Sequence, residues 1–454
     1  MAVRHYKVTL TADGAVHIGN GMKYGKNDYF VVGKKIAVLD AKKFVSMLDK
    51  SQLEQYCRHL DEANSRKGFQ DFLNNHGDLI RIAESCIAYT TETRLKKTRD
   101  KKNYQYLDVA EFVKDAYGCP YVPGSSAKGM LRTAIMTRVI LSNRDRFSKL
   151  YDPDAGSKAV EQAIFGQSPQ ENLMRYVSVS DSKPLEPSCL AFVKKFDKFA
   201  KTDDGRHKKQ MGRISDDQYY EGNELNIYRE CLKPGTTIEL TIDIDDRIDE
   251  RLGFSLDAQG IAETLKCAQD LYSERFLSHF ETEKPGNDAA GDSRCRYVIP
   301  STGTRCRNTA ATEDGYCRLH ADKSDSSNDS KCNSLVCYLG GGVDFDSKTI
   351  INALFADQAK AVGETSHILY ASFPTRIDSS RHPELKTLVR EAGFEPHEMK
   401  TQFKGGGRIS KAKDDHRHWK DIELGISPHT LKMGILDGKK YLMGKCSIKL
   451  KEKR

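Results

Sequence analysis

The stretch Pro123-Gly124-Ser125-Ser126-Ala127-Lys128-Gly129-Met130-Leu131-Arg132-Thr133-Ala134 constrains the fold more than any other part of this chain. A Pro/Gly turn, small residues with one lysine, and then an amphipathic run read as a short loop that opens a helix near Arg132 and ends by about residue 141. Such a loop lets backbone approach an anion closely, and free N–H groups at a helix start favour negative charge. It is not a Walker A loop. Gly124 and Gly129 have the spacing, but Met130 stands where a lysine is required. A cradled nucleotide triphosphate is excluded, while an anion site and an ordinary strand-to-helix turn both fit.

At 454 residues the chain exceeds one ordinary core, and two domains with insertions are expected. Residues 4–10 alternate as a half-buried strand, followed by a Gly-rich turn and short β-type runs at 28–32 and 36–39. Helical patterns cover 41–48, 51–60 and 69–89, and further strands are expected at 175–180 and 189–193. Two basic loops, 92–106 and 194–222, lack an apolar period, and the second interleaves Phe196, Phe199 and His207 with its cations. An alternating strand runs from Thr237 to Ile244 after Pro234-Gly235. A helix from Ala258 to Phe280 then carries Ile261, Leu265, Ala268, Tyr272 and Phe276 on one stripe. A Gly/Asp/Ser-rich segment interrupts this half before a strand at 335–339 and a helix at 347–356. Composition and order alone give an α+β protein of two domains.

The net charge of +8 is unevenly placed. Residues 401–454 hold 14 Lys/Arg and 6 Asp/Glu, which leaves 58 of each sign in the other 400. A polyanion touching the C-terminal part fits that asymmetry, as does a solvated basic tail over Lys449–Arg454. No run of about 18 apolar residues occurs and the first residues carry no apolar signal, so a cytoplasmic protein with no membrane partner is expected. Singly placed cysteines such as Cys86 and Cys267 read as reduced core residues.

Cys295, Cys306, Cys317 and His320 are spaced Cys-x10-Cys-x10-Cys-x2-His, with Pro300, Gly303, Asn308, Asp314 and Gly315 as turn residues between them. Three thiolates and an imidazole form a closed tetrahedral zinc set, so the expectation is one structural zinc in an insertion at about 286–332. The spacing is that of neither a C2H2 finger nor a zinc ribbon.

Several motifs appear together in a fixed order. Val16-His17-Ile18-Gly19-Asn20-Gly21 comes first, then the 123–134 stretch, then Ile164-Phe165-Gly166 with Val177-Ser178-Val179-Ser180-Asp181-Ser182. Tyr228-Arg229-Glu230-Cys231-Leu232-Lys233-Pro234-Gly235-Thr236 and Leu339-Gly340-Gly341-Gly342 complete the set. This set resembles the RAMP superfamily of CRISPR RNA-binding proteins, and within it the subunit family that caps the guide-RNA 3′ end in the type III-A Csm complex. The resemblance implies two ferredoxin-like (RRM-like) domains with insertions: residues 1–235 with helical and basic-loop insertions, and residues 236–454, which contain the zinc-binding insertion. It also implies a non-catalytic role in binding guide RNA and supporting its 3′-end maturation. The implied partners are the backbone RAMP subunit and the small filament subunit, with host trimming nucleases as further partners. The zinc insertion is a departure from that family pattern.

For RNA contacts the candidates are Lys128 and Arg132 with Gly124, Ser125, Ser126 and Gly129; then His17, Gly19, Gly21 and Lys23; then Lys194, Lys195, Arg206, Lys208, Lys209 and Arg229. The alternative reading is a metal-independent endoribonuclease acting on CRISPR precursor RNA. In it His17 is the general acid or base, helped by Lys23 or Tyr24, because some relatives in the superfamily cut RNA with a histidine. His416 and His418, beside Trp419, are left undecided between base stacking and solvent.

Overall fold

The computed structural model describes residues 2–62, 67–93, 95–97, 104–200, 221–280, 335–374, 376–377, 383–398, 403–404, 407–408 and 417–453. The first strand, β1 (Val3–Ala12), buries Tyr6, Val8, Leu10 and Ala12 on alternate positions, as its sequence period requires. The chain continues through β2 (Gly19–Tyr24), β3 (Tyr29–Val32), β4 (Lys35–Leu39), β5 (Ile87–Thr91), β6 (Val109–Phe112) and β7 (Val177–Val179). Then come β8 (Leu190–Phe199), β9 (Gly222–Leu232), β10 (Thr237–Asp245), β11 (Leu335–Tyr338), β12 (Thr430–Leu436), β13 (Lys439–Leu442) and β14 (Lys445–Glu452). The principal helices are α1 (Ala41–Met47), α2 (Lys50–Asp61), α3 (Phe69–Asn75), α4 (Ile80–Ser85), α5 (Gly124–Ser142), α6 (Lys158–Phe165), α7 (Ala258–Arg275) and α8 (Gln358–Ser372).

A five-stranded sheet has the order β11-β14-β1-β10-β7, with every neighbouring pair antiparallel. Helices α5 and α7 pack on each other and on this sheet. The expected stripe of α7 holds: Ile261, Leu265 and Tyr272 are buried, Ala268 is partly buried, and Phe276 is buried just past the helix end. Followed along the chain, β1, α5, β7, β10, α7 and β14 make a β-α-β-β-α-β series whose last strand lies beside its first. A six-stranded sheet runs β13-β12-β8-β9-β6-β2, with β9 and β6 parallel.

The boundary expected at residue 235 does not partition these sheets, since each takes strands from both sides of it. The reason is local. Pro234-Gly235 looks like a linker, but Gly235 takes a φ of +90° and its N–H donates to the Ala12 carbonyl at 2.7 Å. This turn carries the chain from β9 in one sheet to β10 in the other. β10 then pairs with β1 from Thr11↔Thr237 through Val3↔Asp245. The described residues fall in one compact unit; residues 281–334 lie outside the described residues.

Two other expectations change. The segment 69–89 is not one helix. It breaks into α3, a 3-10 turn and α4, and Ile87-Ala88-Tyr89-Thr90-Thr91 joins β4 as a strand, which suits its β-branched and aromatic residues. With β3 and β4 it forms a three-stranded sheet, and α1 to α4 cover an aromatic core of Phe30, Phe44, Tyr56, Phe69 and Phe72. The second basic loop also begins later than expected. Residues 194–199 are the end of β8, where Phe196 and Phe199 are buried.

Candidate nucleic-acid interface

The Gly-Ser-Ser-Ala-Lys-Gly segment is helix, not loop: α5 starts at Gly124, immediately after an extended Pro123. Proline's fixed φ suits the residue that leads into a helix. The small residues let the first turn sit directly on β7. A Cβ on Gly124 would lie 2.2 Å from the Val179 carbonyl oxygen, so only glycine admits this approach. The Gly124 N–H donates to Asp181 Oδ1 at 2.7 Å, and the Ser126 N–H donates to the Pro123 carbonyl. Two of the N–H groups expected to be free there, those of Gly124 and Ser126, are therefore engaged. The Asp181 carboxylate already provides the negative charge that a helix start favours.

What the structure brings together is a cleft of about 400 Å³ with three walls. Ile18 and Gly19 come from the turn after β1; Ser125, Ser126, Gly129, Met130 and Thr133 come from α5; Tyr338, Gly340, Gly341, Ser347 and Lys348 follow from β11. The first and third walls are sewn together by backbone. The Gly341 N–H donates to the His17 carbonyl at 2.5 Å, and a Cβ on Gly340 would lie 2.1 Å from that same oxygen. Gly340 also takes a φ of +86°. Lys348 Nζ donates to the Gly340 carbonyl at 2.5 Å, and burial pushes its pKa down. Sequence reading found the glycines of this wall but not Lys348, because no local pattern ties a lysine six residues beyond the Gly run to it.

Behind the turn, His17 is buried, its Nδ1 lies 2.7 Å from the Glu230 carbonyl oxygen, and Gly19 stands against Nε2. Burial first, and then the nearby positive charge of Arg229, pushes its pKa down. The Glu230 side chain is fully buried. Its carboxylate accepts from the Phe112 N–H at 2.7 Å, from Lys114 Nζ at 2.6 Å and from the Tyr89 hydroxyl. Tyr24 donates to the same carboxylate at 3.4 Å and accepts from Lys114 Nζ at 2.8 Å, and burial raises its pKa. Tyr24 is thus committed to this network and does not stand as a partner for chemistry at His17.

The other candidates fall in different places. Lys128 and Arg132 share one face of α5 and do not line the cleft. Arg132 donates to Glu161 Oε2 at 2.7 Å and lies over the Phe165 ring at 4.9 Å. Lys128 has no carboxylate in ion-pair reach among the described residues, and partial burial pushes its pKa down. Gly21 (φ +87°) and Lys23 lie on the exposed edge strand β2. Lys194 pairs with Glu224 at 2.6 Å and Lys195 with Asp197 at 3.2 Å, both on strand β8. The idea that Phe196 and Phe199 wedge between bases is corrected, since both are core residues. Arg229 lies against Gly342, with no carboxylate in ion-pair reach among the described residues. Arg206, Lys208 and Lys209, with His207, lie outside the described residues, as do Cys295, Cys306, Cys317 and His320.

Residues 9–279, more than half of the chain, match the RAMP superfamily. The chain belongs to the RAMP superfamily. A protein of Streptococcus thermophilus called CRISPR system Cms protein Csm5 is 30% identical over 297 residues, 62% of this chain and 74% of that one. The protein of the same name from Enterococcus italicus is 25% identical over 262 residues, 54% of this chain and 61% of that one, so the match spans about three-fifths of its length. Among solved structures, a chain of the cryo-EM Csm-crRNA-target RNA ternary complex of a type III-A CRISPR-Cas system is similar with a TM-score of 0.49 at 16% identity. That similarity covers 98% of this chain and 100% of that one. The RAMP match takes in His17, α5 and β9, while Gly340, Gly341 and Lys348 lie beyond it. No helix among the described residues is long and apolar enough to cross a membrane.

Proposed function

We propose that this RAMP-superfamily protein is a guide-RNA-binding subunit of a type III-A CRISPR effector complex. It caps the complex at the crRNA 3′ end and supports 3′-end maturation without cutting RNA itself. Its neighbours are the backbone RAMP subunit and the small filament subunit, and trimming nucleases dock on the assembled end. The five-stranded sheet with α5 and α7 is then one ferredoxin-like unit closed by the C-terminal strand.

The observation that carries this reading is the cleft itself. Its walls combine glycine backbone and small hydroxyls, which admit a sugar-phosphate chain closely, with Ile18, Met130, Tyr338 and Lys348. Lys128 on α5, Lys23 on β2 and Arg229 on β9 have no carboxylate in ion-pair reach among the described residues. A groove of this kind follows a backbone rather than reading a base sequence. The non-catalytic reading is supported at His17. The ring is buried and does not line the cleft, and Tyr24, a second group that cleavage would need, is tied to Glu230. Zinc is proposed as a closed structural site of Cys295, Cys306, Cys317 and His320.

The test is reconstitution with the partner subunits and crRNA, followed by native mass spectrometry. One copy of the protein per assembly, with crRNA of unchanged length after incubation with the protein alone, is expected. Precursor RNA cut by the isolated protein, with cutting lost in His17→Ala, would establish the endoribonuclease instead.

A further inference from the structure

We propose that His418, Asp421 and His429 form a binding site for one divalent transition-metal cation of the zinc class, separate from the cysteine set of the insertion. His418 opens a 3-10 turn (His418–Lys420), Asp421 begins the one-turn helix Asp421–Leu424, and His429 immediately precedes β12. His418 Nδ1 lies 2.9 Å from Asp421 Oδ2, and His429 Nδ1 lies 2.7 Å from Asp421 Oδ1. One donor atom from each residue falls within 4.8 Å of the others, and His418 and Asp421 are buried.

The geometry is a small adjustment away from an ion site. Zinc takes imidazole nitrogen and carboxylate oxygen at about 2.0–2.2 Å, which at a tetrahedral angle places neighbouring ligand atoms roughly 3.3–3.6 Å apart, so an entering ion needs each imidazole to draw back from Asp421 by less than about 1 Å. A carboxylate that chelates through both oxygens would have one imidazole beside each of them, and that is the arrangement here. Loading requires only that each Nδ1–H proton move to Nε2 or leave to solvent. Outer contacts are in place: Ser427 Oγ donates to Asp421 Oδ2 at 2.7 Å, and Ser366 Oγ of α8 donates to the His418 carbonyl at 2.5 Å. A bound ion would clamp the turn that lies on α8 to the strand that enters the six-stranded sheet beside β8.

Full-length protein carrying Cys295→Ser, Cys306→Ser and Cys317→Ser removes the thiolates, and Co2+ is the probe. One equivalent of Co2+ giving d–d bands without thiolate charge transfer is expected. Adding His418→Asn and His429→Asn should abolish binding at least tenfold. Asparagine keeps an N–H facing the Asp421 carboxylate but ligates poorly, so the fold is spared while the ion is lost. A melting temperature that rises with Co2+ in the parent and not in the double variant completes the expected result. No Co2+ bound by the triple-serine protein, or equal binding in the folded protein with both histidines replaced, overturns the site and leaves a hydrogen-bonded cluster. Where the triple-serine protein does not fold, X-ray absorption of zinc-loaded wild type decides: nitrogen/oxygen scattering beyond that of the cysteine set that disappears in His418→Asn/His429→Asn supports the site, and its absence overturns it.

Discussion

His17 donates its Nδ1 proton to the backbone carbonyl of Glu230 at 2.7 Å, and this one bond fixes the tautomer of the ring. A carbonyl only accepts, so Nε2 carries the lone pair, and it lies on the side of Gly19. Burial keeps the ring neutral. The imidazole behind the glycine turn is therefore an acceptor at Nε2, suited to a ribose hydroxyl and unsuited to giving up a proton.

His17→Ala should weaken crRNA binding by about five- to tenfold, the value of roughly one hydrogen bond, and leave RNA length unchanged. Fluorescence anisotropy and a denaturing gel measure the two effects separately. Unaltered affinity removes His17 from the interface.

Lys128 and Arg132 should part company. Lys128 is partly desolvated and without a carboxylate in reach among the described residues, so an anion would relieve it. Lys128→Glu should lower affinity and reduce the salt slope by about one. Arg132 is engaged with Glu161 and Phe165, so Arg132→Ala should cost about 1 kcal/mol of stability and little RNA affinity. Filter binding at several salt concentrations, with urea melts of both variants, separates them. The reverse pattern would assign the phosphate contact to Arg132.

The contrast between these two side chains shows what a sequence can reveal. The strand and helix periods of β1, β10 and α7 were readable because each is local, repeating every two or 3.6 residues. The meeting of Gly19, Gly129 and Gly341 in one cleft was legible only as motif order, since nothing local brings residues 300 apart together. The 123–130 segment was misread because small residues suit a loop as well as a tightly packed helix start, and β7 decides between them. Arg132 looked free because Glu161 is 29 residues away. The cations of 194–199 looked like a loop because Phe196 and Phe199 are three residues apart, which breaks a strand's period of two; the pairing of β8 with β9 has a register shift between Lys194 and Phe196.

Glu230→Ala should destabilise the protein by about 3–5 kcal/mol, because it leaves the Lys114 ammonium and the Phe112 N–H without their buried acceptor. Lys114 is itself mostly buried, so water cannot readily replace the carboxylate. Urea denaturation provides the number. A cost below about 1 kcal/mol would mean that the network relaxes and that the turn carrying His17 is held by other contacts.

The final prediction concerns pH. Asp344 is buried, its Oδ1 accepting from the Lys432 N–H at 2.9 Å and its Oδ2 from the Tyr272 hydroxyl at 3.2 Å, and burial pushes its pKa up to about 7. In the unfolded chain an aspartate titrates near 3.9. Between about pH 4 and pH 7 the folded protein therefore holds a proton that the unfolded chain has released, and the stability from this group falls as pH rises. It is fully present below the unfolded pKa and is lost on passing the folded one, a change of up to about 4 kcal/mol. Asparagine at this position accepts the Lys432 N–H and cannot ionise. Asp344→Asn should exceed wild type by about 1.5 kcal/mol at pH 5 and by about 4 kcal/mol at pH 8. Urea midpoints at both pH values test this, and an equal difference at pH 5 and pH 8 would show that Asp344 does not set the slope.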